Sequence, residues 1–147
     1  MRICFFGHAE FNASNEVEQR LLTLLKDYTS KYNVEFLFGG YGRFDDFALK
    51  CVNSIQSSNN IRRIFVTPYI TEEYKYRLEY ARHIYDEIIY PEIENTPLRF
   101  AISARNKWMV NNCDVIICYI NHTYGGAYSA VKWAKEKMII NLGKIEI

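Results

Sequence analysis

Cys113-Asp114-Val115-Ile116-Ile117-Cys118-Tyr119-Ile120, continued by Asn121-His122-Thr123-Tyr124-Gly125-Gly126-Ala127, is the stretch on which the reading of the fold turns. From Asp114 to Ile120 the apolar residues run without alternation, as in a strand covered on both faces in the middle of a parallel sheet. A glycine pair soon after such a strand marks a tight turn into a helix. The stretch therefore predicts a central strand over 114–120, a glycine turn, and a helix from Gly125-Gly126 through Lys137. A last strand is expected over 139–142.

Outward from there the same order recurs. Arg2 to Phe6 is a short apolar run ended by Gly7. Asn15 reads as a helix cap with Glu18 three places on, and Val17, Leu21, Leu24, Leu25 and Tyr28 then share one helical face. Val34 to Phe38 is the second strand, interrupted by Gly39-Gly40-Tyr41-Gly42, with helical apolar spacing from Phe44 to Ile55. Arg63 to Thr67 reads as a strand stopped by Pro68, 71–85 as a charged helix, Glu87 to Tyr90 as a short strand halted by Pro91, and Ala101 to Asn112 as a helix. Strands alternating with helices imply right-handed crossovers. The expected fold is α/β, a Rossmann-like three-layer sandwich with a mainly parallel sheet, formed by residues 1–147 as a single domain.

The bulk numbers bound the function. With 147 residues, 49% of them hydrophobic and 24% charged, the chain can bury a core without disulfides or metals. Its 18 basic and 17 acidic side chains leave a net charge of +1. No global field favours a polyanion or an anionic membrane, which argues against nucleic acid and membrane as partners. The opening apolar run is too short for a signal peptide and no span reaches about 18 apolar residues, so a soluble, cytoplasmic protein is expected. Cys4, Cys51, Cys113 and Cys118 lack C-x-x-C spacing, and His8, His83 and His122 are scattered. Neither a metal site nor a resident cofactor is expected.

Ligands of open parallel sheets bind beyond the carboxyl ends of the strands, where helix amino termini present free N–H groups. Three glycine-bearing loops fall there: Gly7-His8, Gly39-Gly40-Tyr41-Gly42, and Thr123-Tyr124-Gly125-Gly126-Ala127. Glycine lets backbone approach a phosphate without a Cβ in the way. Any one of them also reads as a plain tight turn, whereas three in phase point to a phosphate cradle. Neither G-x-G-x-x-G nor a Walker A sequence is present, so this is neither a standard dinucleotide dehydrogenase nor a P-loop NTPase.

In Phe6-Gly7-His8, Gly39 to Asp45, Arg99-Phe100-Ala101-Ile102-Ser103-Ala104-Arg105-Asn106-Lys107-Trp108-Met109, and the Asp114 strand with its Gly125-Gly126 turn, the chain resembles the SLOG superfamily of Rossmann-like nucleotide-binding proteins. It looks closer to the YpsA-like branch of bacteria and phage than to the Lonely Guy phosphoribohydrolases. The resemblance covers nearly the whole chain. It implies that Arg105 contacts a nucleotide phosphate and that the protein self-associates as a homo-oligomer; Trp133 with Val131 and Ala134 gives a candidate contact face. Two departures stand out. Val131, or Lys132 if the loop shifts by one, occupies the place of the acid that assists base–ribose cleavage in Lonely Guy enzymes. Ala9 stands where YpsA-like relatives carry arginine, a charge for which Arg43 or Arg2 is the candidate substitute.

An arginine at 105 can grip a phosphate bidentately, as lysine cannot. Asp45 can accept from ribose hydroxyls or cap the helix that follows. His122 adjoins the glycine pair but lacks a carboxylate orienter in sequence, and His83 reads as a surface residue. Tyr41, Phe44, Tyr69, Tyr124 and Tyr128 can stack on a base. The expected ligand site joins Gly7 and His8; Gly39, Gly40, Tyr41, Gly42, Arg43, Phe44 and Asp45; Arg105 and Asn106; and Thr123, Tyr124, Gly125, Gly126, Ala127 and Tyr128. No residue is assigned a catalytic role. The function expected is binding of a nucleotide or nucleotide-derived small molecule, as a sensor or sequestering module without turnover. The alternatives are a nucleotide or nucleotide-sugar hydrolase and a protein-interaction domain whose glycine loops are structural.

Overall fold

A computed structural model describes residues 1–134 and 136–147. Six strands, β1 (Arg2–Gly7), β2 (Val34–Phe38), β3 (Ile61–Val66), β4 (Glu87–Ile89), β5 (Val115–Tyr119) and β6 (Met138–Asn141), form one sheet in the order β4-β3-β2-β1-β5-β6. All five pairings are parallel, so the sheet is wholly rather than mainly so. The expected α/β Rossmann-like sandwich is the fold observed.

Among the described residues five α-helices connect the strands: α1 (Asn15–Lys31), α2 (Arg43–Ser54), α3 (Lys75–Ile84), α4 (Ala101–Asn111) and α5 (Gly126–Lys132). Successive side chains of a strand point to opposite faces, and β1 has apolar residues at both parities. Ile3 and Phe5 enter a layer with Val17, Leu21 and Leu25 of α1 and Ala48 and Val52 of α2. Cys4 and Phe6 enter the opposite layer, with Met109 and Val110 of α4 and Ala130 and Val131 of α5. Phe5 stacks on Phe36 and Phe38 with ring centroids 5.7 and 5.0 Å apart. Burying each such ring stabilises the fold by roughly 1.5–3 kcal/mol.

Several boundaries differ from those expected. The cap of α1 is Ser14, not Asn15: its Oγ accepts from the Val17 N–H at 3.2 Å, and its carbonyl accepts from the Glu18 N–H. A serine one position upstream satisfies the N3 donor, so Asn15 is already helical. Helix α2 starts at Arg43 behind Gly42, whose φ of +93° suits glycine. The helix expected from Gly125-Gly126 through Lys137 ends at Lys132, and Lys135 lies outside the described residues. Val131 and Ala134 are core residues, which removes them from the expected contact face; Trp133 is partly exposed, with Lys107 over its ring. Among the described residues no helix is long and apolar enough to cross a membrane.

From β1 the chain winds through β2 and β3 to β4, and α4 then carries it back to β5 on the other side of β1. The winding direction thus reverses between β1 and β5. Such a switch point opens a crevice beyond the strand ends.

Candidate functional site

The register sets the site. Gly7 of β1 lies opposite Tyr119 of β5, so the loops beginning at His8 and Ile120 leave the sheet side by side. The Asn121 N–H donates to His8 Nε2 at 2.9 Å, tying the two loops together. The second loop is fixed from behind by Asn141 of β6, whose side chain accepts from the Ile120 N–H at 2.9 Å and donates to the Ile120 carbonyl at 3.1 Å.

A cleft of about 470 Å³ opens at this switch point. Of the residues expected from sequence, Gly7, His8, Gly39, Tyr41, Asp45, Arg105, Asn106, Tyr124, Gly125, Gly126 and Ala127 line it. The others do not. Phe44 is fully buried and packs against Phe5, Phe11 and Tyr119, so its ring belongs to the core rather than to a ligand. Gly40 has both peptide groups engaged, its N–H by Asp45 Oδ2 at 2.7 Å and its carbonyl by Arg77. Gly42 abuts the Ala9 backbone, with the Arg43 N–H donating to the Ala9 carbonyl at 3.1 Å. The Arg43 side chain points outward and donates to Asn12 Oδ1 at 3.3 Å. Thr123 is exposed beside the lining, and Tyr128 lies under Lys132. Neither arginine offered as a substitute for the one missing at Ala9 reaches the cleft, since Arg2 sits at the amino end of β1 in an ion pair with Glu35.

Arg105 is the charged centre of the cleft. It is 4% exposed; Nε donates to Asn106 Oδ1 at 2.9 Å, and Nη1 donates to the carbonyls of Gly39 at 2.9 Å and Val66 at 2.7 Å. Gly39 directly follows β2 and Val66 is the last residue of β3, so the guanidinium is braced at the ends of two strands. Among the described residues none accepts from Nη2, yet none of the buried side-chain nitrogen or oxygen atoms lacks a partner. Nη2 therefore keeps access to solvent, and Arg105 is one of the residues lining the cleft. Burial lowers the Arg105 pKa and the nearby Asp45 carboxylate opposes that shift.

Asp45, buried at the start of α2, caps the preceding loop rather than its own helix. Desolvation raises its pKa to about 6, against the lowering effects of the Gly40 peptide, Arg105 and the Tyr41 peptide.

The glycines divide into two kinds. A Cβ on Gly7 would run into the buried ring of Phe44, and one on Gly40, at φ +71°, into Phe65. Gly125 has φ +93°. Gly126 has no positive φ, and a Cβ there would meet nothing within 4 Å. It faces open space in the cleft.

Sequence reasoning left out Glu10, Ile102 and His122, which also line the cleft. His122 has no carboxylate orienter, but its Nδ1 stands 3.0 Å from the Tyr124 carbonyl oxygen, which can hold the ring in its place. Adjacency to the glycine pair was the available signal. Among the described residues no cluster of three or more His, Cys, Asp or Glu side chains is arranged to hold a metal ion.

The chain takes the form of a Rossmann-like α/β domain. No protein-family model and no curated protein matches it. Solved structures do. DNA processing protein A from Helicobacter pylori, a structure describing its single-stranded DNA binding mode, superposes with TM-score 0.65 at 16% identity over 96% of this chain and 64% of that one. DNA processing protein A (DprA) from Streptococcus pneumoniae gives 0.63 at 14% over 95% and 49%. The molybdenum cofactor carrier protein MCP of Chlamydomonas reinhardtii gives 0.59 at 13% over 97% and 77%. The chain spans less than two thirds of either DNA-processing protein, and the likeness is one of fold.

Contrary to the expectation, a net charge of +1 does not count against nucleic acid as a partner of this fold. A protein with this fold binds single-stranded DNA. Whole-chain neutrality does not exclude a strand partner, because strand binding relies on a local groove and stacking platforms rather than on total charge.

Proposed function

We propose that residues 1–147 act as one domain of the YpsA-like kind that binds a nucleotide or nucleotide-derived phosphate ligand in the switch-point cleft, as a sensor or sequestering module without turnover. The observation that carries this reading is Arg105. Burying a guanidinium is costly unless it is paired and hydrogen-bonded, and this one is braced through Nε and Nη1 while Nη2 has no acceptor among the described residues and the side chain lines the cleft. A charge-assisted bond to a phosphoryl oxygen is the interaction such a group is suited to make. Gly126 supports the reading as well, because neither packing nor backbone conformation calls for glycine there.

Absence of turnover is supported by the position corresponding to the Lonely Guy acid. Val131 is a core residue at 1% exposure and Lys132 points outward. An oxocarbenium-like state would find no carboxylate at that place. A second reading, hydrolysis of the base–ribose bond, draws on Asp45, a cleft carboxyl whose pKa is raised to about 6 and which could serve as an acid or base.

The test is to incubate the protein with nucleoside monophosphates, ADP-ribose, cyclic nucleotides and a short single-stranded oligonucleotide, following melting temperature and products together. Stabilisation without product, abolished in Arg105→Lys, is the expected result. Product lost in Asp45→Asn would replace the sensor with the hydrolase. No stabilisation by any of these compounds would overturn nucleotide binding altogether.

A further inference from the structure

Three aromatic rings are stacked at the cleft. The His8 and His122 centroids are 3.6 Å apart with planes 14° from parallel, and His122 lies 3.7 Å from Tyr124 at 17°. His122 is thus covered on both faces. The last ring, Tyr124, is 69% exposed and lines the cleft. A large exposed aromatic ending a stack is not accounted for by the core, since among the described residues Tyr124 makes no ring contact other than that with His122.

Hydrogen bonds fix both imidazoles. His8 Nε2 receives the Asn121 N–H, so in the neutral ring the proton is on Nδ1. His122 Nδ1 faces the Tyr124 carbonyl oxygen, which can only accept, so in the neutral ring the proton is on Nδ1 and the lone pair on Nε2. Among the described residues neither His8 Nδ1 nor His122 Nε2 has a partner, and none of the buried side-chain nitrogens lacks one. A donor and an acceptor therefore remain open to solvent at the edge of the stack.

We infer that the His8–His122–Tyr124 stack is a base platform: the free face of Tyr124 receives the heteroaromatic base of the same ligand whose phosphate is held at Arg105. This rests on the nucleotide reading proposed above and adds its base-binding half. Parallel rings at van der Waals spacing present a flat π surface, which favours a planar base over a bare sugar phosphate. The cleft, at about 470 Å³, is within the range of small-ligand sites. The chemistry recognised is one nucleotide unit, whether free or within a single strand. Stacking tolerates every base, because each presents a π face to the ring.

The experiment compares the four nucleoside 5′-monophosphates with ribose 5-phosphate by isothermal titration, together with a ten-residue single-stranded DNA, on the wild type, Tyr124→Ala, Tyr124→Phe and Arg105→Lys. The wild type is expected to bind at least one monophosphate roughly tenfold more tightly than ribose 5-phosphate. Tyr124→Ala should erase that preference while leaving ribose 5-phosphate affinity unchanged, and Tyr124→Phe should restore it. Binding of the oligonucleotide alone, lost in Tyr124→Ala, would assign the platform to a strand. Equal affinity for monophosphate and ribose 5-phosphate in the wild type, or equal weakening of both in Tyr124→Ala, would overturn the platform while leaving the phosphate site standing. Failure of every compound to bind would overturn both.

Discussion

Arg105 Nη1 on α4 donates to the Gly39 carbonyl, 2.9 Å away at the end of β2, and also to the Val66 carbonyl at 2.7 Å. One guanidinium edge therefore joins a helix to two neighbouring strand ends. Lysine has no planar fork with which to serve both carbonyls and Asn106 at once. Arg105→Lys is expected to lower stability by about 1–3 kcal/mol, the cost of leaving buried acceptors unsatisfied. Urea unfolding measures this, and the same variant should show no ligand-induced rise in melting temperature.

Asp45 gives the fold a signature in pH. Its pKa is raised from 3.8 to about 6, chiefly by desolvation, so the folded state holds the proton more tightly than the unfolded chain. The associated stability is fully present below pH 3.8 and is lost as pH rises to about 6. In Asp45→Asn that loss cannot occur, while the amide oxygen can still accept from the Gly40 N–H. The unfolding free energy of the wild type minus that of the Asp45→Asn variant should therefore fall between pH 4 and 6 by up to roughly 3 kcal/mol and then level off. A difference that is flat across this window would show that Asp45 titrates near its ordinary value.

The strands were legible because β1, β2 and β5 are apolar on both parities and each is followed by a glycine or a polar loop. The order of strands and helices then allowed the sheet to be anticipated, with errors confined to element ends such as Ser14 and Lys132. The site was legible only as loops. Whether a loop residue faces the cleft or the core depends on helical phase and close approach: Phe44 and Gly40 are engaged by the protein itself. The partners of Arg105 are 66 and 39 residues away, and the contact between His8 and Asn121 spans 113. Such long-range pairings follow from strand register, which no local pattern reports.

Gly7 and Gly126 should respond oppositely to alanine. A methyl at Gly7 would enter the space of the Phe44 ring, which is fully buried and cannot move away freely. Overpacking of that kind costs about 1–3 kcal/mol, so Gly7→Ala should lower the melting temperature. At Gly126 the methyl meets no protein atom and the backbone is unstrained. Gly126→Ala, inside the first turn of a helix, should leave the melting temperature equal to or slightly above that of the wild type. Its effect should appear only with ligand present, as a weaker thermal shift. Equal losses of stability in the two variants would contradict this division.

The His8–Asn121 bond makes the join between the two central loops sensitive to acid. His8 Nε2 must be unprotonated to accept the Asn121 N–H, and desolvation together with the neighbouring His122 lowers the His8 pKa below 6.5. Because the folded state disfavours the proton, the bond's contribution is fully present above pH 6.5 and declines as pH falls toward the lower folded value. Nitrogen-correlated NMR of the side chains should find neutral His8 as the Nδ1–H tautomer, with its titration midpoint below that of an unperturbed histidine. As His8 protonates, the Asn121 amide should lose hydrogen-exchange protection while amides in the middle of β1 and β5 retain theirs. His8→Asn, which can still offer an acceptor but has no proton to gain in this range, should abolish the pH dependence of Asn121 exchange. If Asn121 exchange followed pH identically in the wild type and this variant, His8 would not be the group that couples the loops to acid.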